Sequence, residues 1–196
     1  DGLKCNNTLQ VLNLDGNGFN DSNIIKIIEV ILFNTSIKSL YLRYNCITDI
    51  GAEQIAKLLF ANTTLKKLYV SRNAIKCDGA QMLSHALTLN STLKKLDLSN
   101  NFIEDNGINA IISTLTKNKC LESLCLNTIP INFDLCIKLA KSLEVNASLR
   151  KLELNWTRID CDGVLELFAS LKLNQTLESL QIERNDMHPK INRDNE

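Results

Sequence analysis

Apolar residues recur along the chain with a period of 28 residues, and the period repeats seven times. We number each unit from the apolar residue that opens it: Leu9, Ile37, Leu65, Leu93, Leu121, Leu149 and Leu177. Position 4 of every unit is leucine, and position 6 is Leu, Val or Ile. Because side chains alternate between the two faces of a strand, this spacing predicts a short strand with one buried face.

The second half of each unit predicts a helix. In unit 2, Ala52, Ile55, Ala56 and Leu59 have the spacing of one helical face. Glycine at position 15, as in Gly51, is expected at a tight start of the helix. Asparagine fills position 26 in all six complete units, which fits a helix end that tolerates left-handed backbone. Asparagine at position 9 is expected to bond loop backbone after the strand.

One such unit cannot bury its own faces, so neighbouring units must stack. The pattern therefore predicts an α/β solenoid shaped like a horseshoe, with a parallel sheet on the concave face and helices on the convex face. We assign residues 1–8 to the end of a preceding repeat, 9–187 to about seven units and 188–196 to a polar tail. This register predicts a chain that is part of a longer protein or complex. Unit 5 is irregular, with Ile129 and Pro130 in its loop, which favours loop variation over a functional bulge.

The segment from Leu65 to Ile75, followed by Gly79-Ala80 and Asn90-Ser-Thr92, resembles leucine-rich repeats of the ribonuclease-inhibitor-like subfamily. The junction Asn62-Thr63-Thr64-Leu65 is similar to that of NOD-like receptor repeat domains. Related arrays occur in Ran GTPase-activating proteins and in axonemal scaffold proteins. The resemblance covers residues 3–187 and implies the fold much more specifically than a function.

Composition removes several classes of function. The chain has 22 basic and 22 acidic residues, which argues against a general nucleic-acid binder. No apolar run approaches the roughly 20 residues of a membrane span. The seven cysteines have no CxxC spacing and the two histidines are far apart, so we predict no metal site. We expect the cysteines to be reduced thiols that mostly lie in the core, and the protein to be cytoplasmic. No nucleotide-binding or hydrolase motif is present, so we predict no cofactor and no enzyme activity.

Aromatic residues single out one surface. Strand positions 3, 5 and 7 should point into the concave face, with position 8 at its rim. Tyr41 and Tyr69 occupy position 5, and Tyr44 and Trp156 occupy position 8, whereas no phenylalanine falls at any of these positions. Such amphipathic aromatics are typical of interaction hot spots. Tyr41 and Tyr69 are predicted to be direct neighbours, which could also serve sheet stability alone.

Charges on the same surface are ordered. Lysines at positions 2 and 3 give one basic edge, which is either a solvated edge or a strip that steers a partner with acidic residues. Basic and aromatic residues interleave only in units 2 and 3, which argues against nucleic acid. The candidate partner-binding residues are Tyr41, Arg43, Tyr44, Lys67, Tyr69, Arg72, Lys95, Asp97, Glu153 and Trp156.

We therefore predict a non-enzymatic scaffold that binds another protein on its concave face. The resemblance implies a sensor domain or a cytoskeletal or ciliary assembly component. It also implies two alternatives, a Ran-type small-GTPase activator and a ribonuclease-inhibitor-like binder. In the first alternative, Arg43 or Arg72 would assist hydrolysis, although the usual arginine-bearing loop and acidic tail of that family are not found in this sequence.

Overall fold

A computed structural model describes residues 2–187. Within these residues, each repeat unit contributes one strand at positions 3 to 5, and a helix follows each of the first six strands. The strands are β1 Val11–Asn13, β2 Ser39–Tyr41, β3 Lys67–Tyr69, β4 Lys95–Asp97, β5 Ser123–Cys125, β6 Lys151–Glu153 and β7 Ser179–Gln181. The helices are α1 Gly2–Cys5, α2 Asp21–Ile31, α3 Asp49–Ala61, α4 Cys77–Leu89, α5 Asp105–Leu115, α6 Phe133–Val145 and α7 Cys161–Ser170.

The strands form one parallel sheet in sequence order, β1 to β7. Each strand pairs with the next in a register of one full repeat, so that Leu40 lies opposite Leu68 and Leu68 opposite Leu96. The repeat period thus becomes the pairing register, because equivalent residues of neighbouring units lie side by side. This arrangement confirms the predicted α/β leucine-rich repeat solenoid. The predicted tail 188–196 lies outside the described residues.

The core lies between the sheet and the helices. Leu40 and Leu42 of unit 2 are fully buried, as is Ile55 on the inner face of α3. Each buried leucine or isoleucine contributes about 1.5–3 kcal/mol relative to an exposed one. Leu12 and Leu180 are only partly buried, since β1 and β7 are the edge strands of the described sheet.

Asparagines at position 26 link adjacent units where the helices end. Asn62 follows α3 with extended backbone, φ −86° and ψ 128°, so the prediction of left-handed tolerance is wrong for this position. Its side chain explains the choice of residue instead. Asn62 Nδ2 donates to the Asn34 carbonyl at 2.9 Å, while its Oδ1 accepts from the backbone N–H groups of Thr64 and Leu65. Only an amide side chain donates and accepts in this way. We call this set the lower asparagine ladder: Asn34, Asn62, Asn90, Asn118, Asn146 and Asn174.

A second set links the loops that follow the strands. Asn45 Oδ1 accepts from the N–H of Phe19 at 2.9 Å, and Asn45 Nδ2 donates to the carbonyl of Leu14 at 3.1 Å. This pattern confirms that position 9 satisfies loop backbone groups. We call this set the upper asparagine ladder: Asn45, Asn73, Asn101 and Asn185. Units 5 and 6 interrupt it, because buried Ile129 and Thr157 take the asparagine position.

Close helix packing explains the glycine at position 15. Gly79 lies inside the first turn of α4, and a Cβ there would sit 2.6 Å from Asp49 Oδ1 and 2.8 Å from Ala52 Cβ. Asp49 occupies that space because its Oδ1 accepts from the N–H groups of Lys76 at 2.7 Å and Gly79 at 2.9 Å. A carboxylate from one repeat thereby caps the next helix, an arrangement that leaves no room for a side chain.

The cysteines depart from the prediction that most of them lie in the core. All seven are free thiols, but only Cys125 and Cys136 are buried. Cys5 and Cys46 are exposed, and the remaining three are half-buried. A hydrophobic pattern cannot place them, because several fall at positions that the repeat leaves variable. Within residues 2–187, no group of His, Cys, Asp and Glu side chains is arranged to hold a metal ion.

Candidate functional site

Tyr41 and Tyr69 stack on the concave face. Their rings lie 4.4 Å apart between centroids and 8° from parallel, on residues that are directly paired between β2 and β3. The predicted neighbour relation is therefore confirmed. An aromatic pair of this kind contributes about 0.5–1.5 kcal/mol beyond the area that it buries.

Two cations hold this pair in place. Arg43 lies with its guanidinium carbon 5.3 Å from the Tyr41 ring centroid and 5.5 Å from that of Tyr69. Asp15 fixes the guanidinium, with its Oδ2 2.9 Å from Nε and 2.8 Å from Nη2 of Arg43. Lys95 Nζ lies 5.3 Å from the Tyr69 ring centroid. We call Tyr41, Arg43, Tyr69 and Lys95 the tyrosine cluster.

The ionisation of the cluster follows from these contacts. The hydrogen bond to Asp15 raises the pKa of Arg43 above its already high ordinary value, so this cation is permanent. Burial, reinforced by Tyr41, raises the pKa of Tyr69 to about 12. The Tyr69 phenol therefore keeps its proton at physiological pH and can donate a hydrogen bond, beside the cations of Arg43 and Lys95.

The carboxylates predicted for the site are already engaged. Asp97 Oδ2 accepts from Ser71 Oγ at 2.8 Å, and Asp97 Oδ1 accepts from the backbone N–H of Ser99. Burial opposes ionisation of Glu153, but hydrogen bonds from Lys151 and Asn127 outweigh it and lower the pKa of Glu153. Both carboxylates therefore position neighbouring strands as well as facing the concave surface.

Position 8 forms the rim, and its backbone is left-handed throughout the array. Tyr44, Arg72 and Trp156 have φ of 56°, 55° and 61°, values that non-glycine residues rarely adopt. Arg72 lies over the Tyr44 ring at 5.0 Å, and Arg184 over the Trp156 ring at 4.9 Å. Tyr44 is 56% exposed and Trp156 is 54% exposed. The two aromatic residues are therefore accessible at the surface with one face covered by an arginine.

The lysines of the basic edge differ in their partners. Lys94 pairs with Glu122 at 2.8 Å, whereas Lys38, Lys66 and Lys67 make no ion pair within residues 2–187. Lys67 also lies directly opposite Lys95 in the sheet, two like charges on adjacent strands. Like charges in this arrangement repel each other.

The ten candidate residues thus fall into two groups. Units 2 to 4 hold eight of them, with Tyr44 and Arg72 on the rim beside the strands of the tyrosine cluster. Glu153 and Trp156 lie in unit 6, and within residues 2–187 their side chains contact Lys151, Asn127 and Arg184 rather than the first group. Sequence reasoning places Asp15 at position 7 and Arg184 at position 8 of this surface but does not count them among the candidates. Their contacts with Arg43 and Trp156 emerge only from the structure.

Sequence reasoning also missed a cleft that opens between the loops of units 3, 4 and 5. It has a volume of about 660 Å³, and its lining includes Phe102, which is 66% exposed. Pro130 of the irregular unit 5 loop forms part of the wall. We call this the loop cleft, lined by Arg72, Asn100, Asn101, Phe102, Ile103, Glu104, Asp105, Thr128 and Pro130.

The convex face carries exposed apolar side chains of its own. Phe60 and Met82 line a groove of about 520 Å³ between α3 and α4, and Phe33 and Phe168 are exposed elsewhere on the helical side. In the described part of the chain, no helix combines the length and the apolar character required to traverse a lipid bilayer.

A solenoid whose parallel strands line one face, with the variable strand positions exposed there, defines a repeat protein of the recognition type. The sequence profile of the leucine-rich repeat matches residues 5–27, 33–56, 61–84, 89–111 and 145–168, more than half of the chain. The chain belongs to the leucine-rich repeat family, and its pattern is consistent with the ribonuclease-inhibitor-like subtype.

Solved structures of similar fold support this assignment. Leiomodin-1 actin-binding site 2 is 21% identical with a TM-score of 0.56, and the match covers 85% of this chain and 81% of that one. The tropomodulin C-terminal domain of Caenorhabditis elegans is 13% identical with a TM-score of 0.55, over 87% and 86% of the two chains. The leucine-rich repeat protein LegL7 of Legionella pneumophila is 19% identical with a TM-score of 0.54, over 91% of this chain and 57% of that one. At these identities the likeness establishes the fold. No curated protein matches the chain at a significant level.

Proposed function

We propose that this protein is a non-enzymatic interaction scaffold that binds a partner protein on its concave face. The leucine-rich repeat fold and its likeness to an actin-binding site support a protein-binding role. The residues that we assign to the interface are the ten candidates, with units 2 to 4 as its centre. A location in the cytoplasm, within a larger assembly or a cytoskeletal or ciliary structure, accords with seven free thiols.

The tyrosine cluster is the observation that carries this proposal. Arg43 is fixed by Asp15 and by two rings before any partner arrives, so little side-chain entropy is lost on binding. Half-buried aromatic and arginine side chains that contact one another at the centre of a concave surface have the chemistry of hot spots. Arg43 and Lys95 also bring two cations to this surface, which the tyrosine pair alone would not provide.

The contacts of the two candidate arginines speak against the GTPase-activator alternative. An arginine that assists hydrolysis must reach the transferred phosphate. Arg43 is held by Asp15, and Arg72 lies on Tyr44, so each would have to leave its partner first. Single-turnover GTP hydrolysis with a panel of small GTPases tests this alternative, and acceleration that depends on Arg72 would restore it. Titration of a pancreatic-type ribonuclease tests the ribonuclease-inhibitor-like alternative in the same way.

Affinity capture from a lysate of the source cells, read by mass spectrometry, tests the proposed function. The bait with Tyr41, Tyr69 and Trp156 all changed to alanine should lose the specific partner that the unchanged bait retains. A matched control removes three exposed aromatic residues from the helical side instead, with Phe33, Phe60 and Phe168 changed to alanine. Circular dichroism confirms that each bait is folded. Loss of the partner from the control bait alone would place the interface on the convex face and overturn the proposal.

A further inference from the structure

Charge is distributed unevenly on the concave face, although the chain as a whole is neutral. At positions 2, 3, 5, 7 and 8, units 2 to 4 carry five lysines together with Arg43 and Arg72, against the single carboxylate of Asp97. The same positions of units 5 to 7 carry three cations and four carboxylates. We call the surface formed by these positions of units 2 to 4 the cationic half.

The positive charge of the cationic half is only partly compensated. The two ion pairs that reach into it use carboxylates from outside, Asp15 of unit 1 and Glu122 of unit 5. Lys38, Lys66 and Lys67 have no ion-pair partner among the described residues. An anionic partner would relieve this repulsion, and the charge would accelerate its association.

The tyrosines indicate which kind of anion fits. A nucleic-acid platform offers open aromatic faces on which bases stack. Here the facing surfaces of Tyr41 and Tyr69 cover each other at 4.4 Å, and Arg43 and Lys95 lie near the rings. The donors of the cluster are two hydroxyl groups, the Lys95 ammonium and the Arg43 guanidinium, which Asp15 already holds. These donors suit carboxylates, so acidic side chains of a peptide are favoured over an oligonucleotide.

The loop cleft adjoins this surface. Arg72 lines the cleft and also lies on Tyr44, so one side chain connects the two features. Phe102 and Pro130 give the cleft an apolar wall, and about 660 Å³ is ample for an aromatic side chain. The cleft exists next to unit 5, whose loop departs from the repeat pattern at Ile129 and Pro130.

We infer that the partner presents an extended acidic peptide segment with one aromatic side chain. Its carboxylates lie along the cationic half, and its aromatic ring occupies the loop cleft. This inference rests on the proposed function and names the class of partner. It also assigns the loop cleft, which the ten candidate residues touch only through Arg72.

A random dodecapeptide library displayed on phage, panned on the full chain, tests the inference. We expect the selected peptides to be enriched in Asp and Glu and to share an aromatic residue near the acidic stretch. Their affinities, measured by fluorescence anisotropy, should fall steeply with added salt. A selected pool that is neutral or basic would overturn the inference. So would tighter binding of a labelled 20-nucleotide oligothymidylate than of any selected peptide.

The array itself supplies matched variants. Serine occupies position 3 in units 2, 5 and 7. Lys67→Ser combined with Lys95→Ser therefore removes two charges and introduces only a residue that other units already have at this position. This variant should bind the selected peptides about tenfold more weakly or worse, since two ionic contacts are lost. Lys151→Ser alters position 3 of unit 6, outside the cationic half, and should leave the affinity unchanged.

A matched pair of variants also tests the role of the loop cleft. Phe102→Ala introduces the residue that Ala74 provides at the same position of unit 3 and should weaken binding about tenfold. Phe60, also 66% exposed, lies on the convex face, and Phe60→Ala should have no effect. Equal effects of the two variants would overturn the assignment of the cleft. A different result would be that the affinities of the selected peptides for these variants show none of the expected changes, while the Tyr41/Tyr69/Trp156 bait still loses its partner. That result would overturn the inference and leave the proposed function standing.

Discussion

Asn118 and Asn90, one repeat apart, are joined by a hydrogen bond of 3.0 Å from Asn118 Nδ2 to the Asn90 carbonyl. The same Nδ2 donates to the Leu87 carbonyl at 2.6 Å. Asn118 Oδ1 accepts from the backbone N–H groups of Cys120 and Leu121. One buried side chain therefore satisfies four backbone groups across adjacent units, which is why the lower asparagine ladder is uninterrupted across the six complete units.

We predict that Asn118→Ala lowers the free energy of unfolding by about 2–4 kcal/mol, because several buried backbone groups lose their partners at once. Urea denaturation followed by circular dichroism measures the change. Asn106→Ala, at an exposed position of α5, is the control and should change stability by less than about 0.5 kcal/mol. Similar losses for the two variants would mean that the ladder contributes little.

Core and surface positions of the same sheet should respond differently to truncation. Leu96, fully buried in β4, should cost roughly 2–5 kcal/mol when changed to alanine, since a cavity remains. Tyr69→Ala should cost only about 1–2 kcal/mol, mostly the stacking with Tyr41, and should act chiefly on partner binding. Thermal and urea unfolding of both variants provide the comparison. Unfolding of the Tyr69 variant would show that the face assignment is incorrect.

Replacing the glycine at position 15 by alanine is a test in which helix propensity and packing predict opposite changes in stability. Alanine is favoured over glycine in a helix by about 1 kcal/mol. We nevertheless predict that Gly79→Ala destabilises the protein by about 1–3 kcal/mol, because its Cβ would collide with Asp49 and Ala52. An alanine Cβ at Gly2 in α1 would have no atom within 4 Å, so Gly2→Ala should be neutral within about 0.5 kcal/mol. Urea denaturation of both variants measures the difference, and a stabilising Gly79 variant would contradict the packing.

Stability should fall at alkaline pH through the buried thiols. Burial raises the pKa of Cys136 from 9.0 to about 12, so the unfolded chain loses this proton at lower pH than the folded one. The contribution is fully present below pH 9 and is lost as the pH rises toward 12, by at most about 1.4 kcal/mol per pH unit. Cys136→Ala, which matches Ala52 and Ala80, should flatten this slope when urea unfolding is repeated across the alkaline range. Cys46→Ala, which removes an exposed thiol, is the control.

Buried positions could be predicted from the sequence because the apolar core residues recur at the same positions of every repeat. Leu40, Leu68 and Leu96 align in the numbering as they do in the sheet. The concave position of Tyr41 and Tyr69 follows from the same alternation. The reason for asparagine at position 26 could not be predicted, since it depends on carbonyls of the preceding unit. The loop cleft was equally inaccessible, because Phe102 and Pro130 approach each other only once units 4 and 5 stack.

The interruption of the upper asparagine ladder at Ile129 and Thr157 has a consequence for rigidity. Hydrogen bonds from Asn45, Asn73 and Asn101 link units 1 to 4 at the ends of their strands. The lower ladder links the same units at the ends of their helices, so both edges resist opening. The cationic half lies wholly within these units, which both ladders link, and it loses little conformational entropy on binding. The loop cleft spans the seam between units 4 and 5, where the asparagine bridge is replaced by Ile129. The seams on either side of unit 5 therefore keep only the lower bridge, whereas the cationic half keeps both.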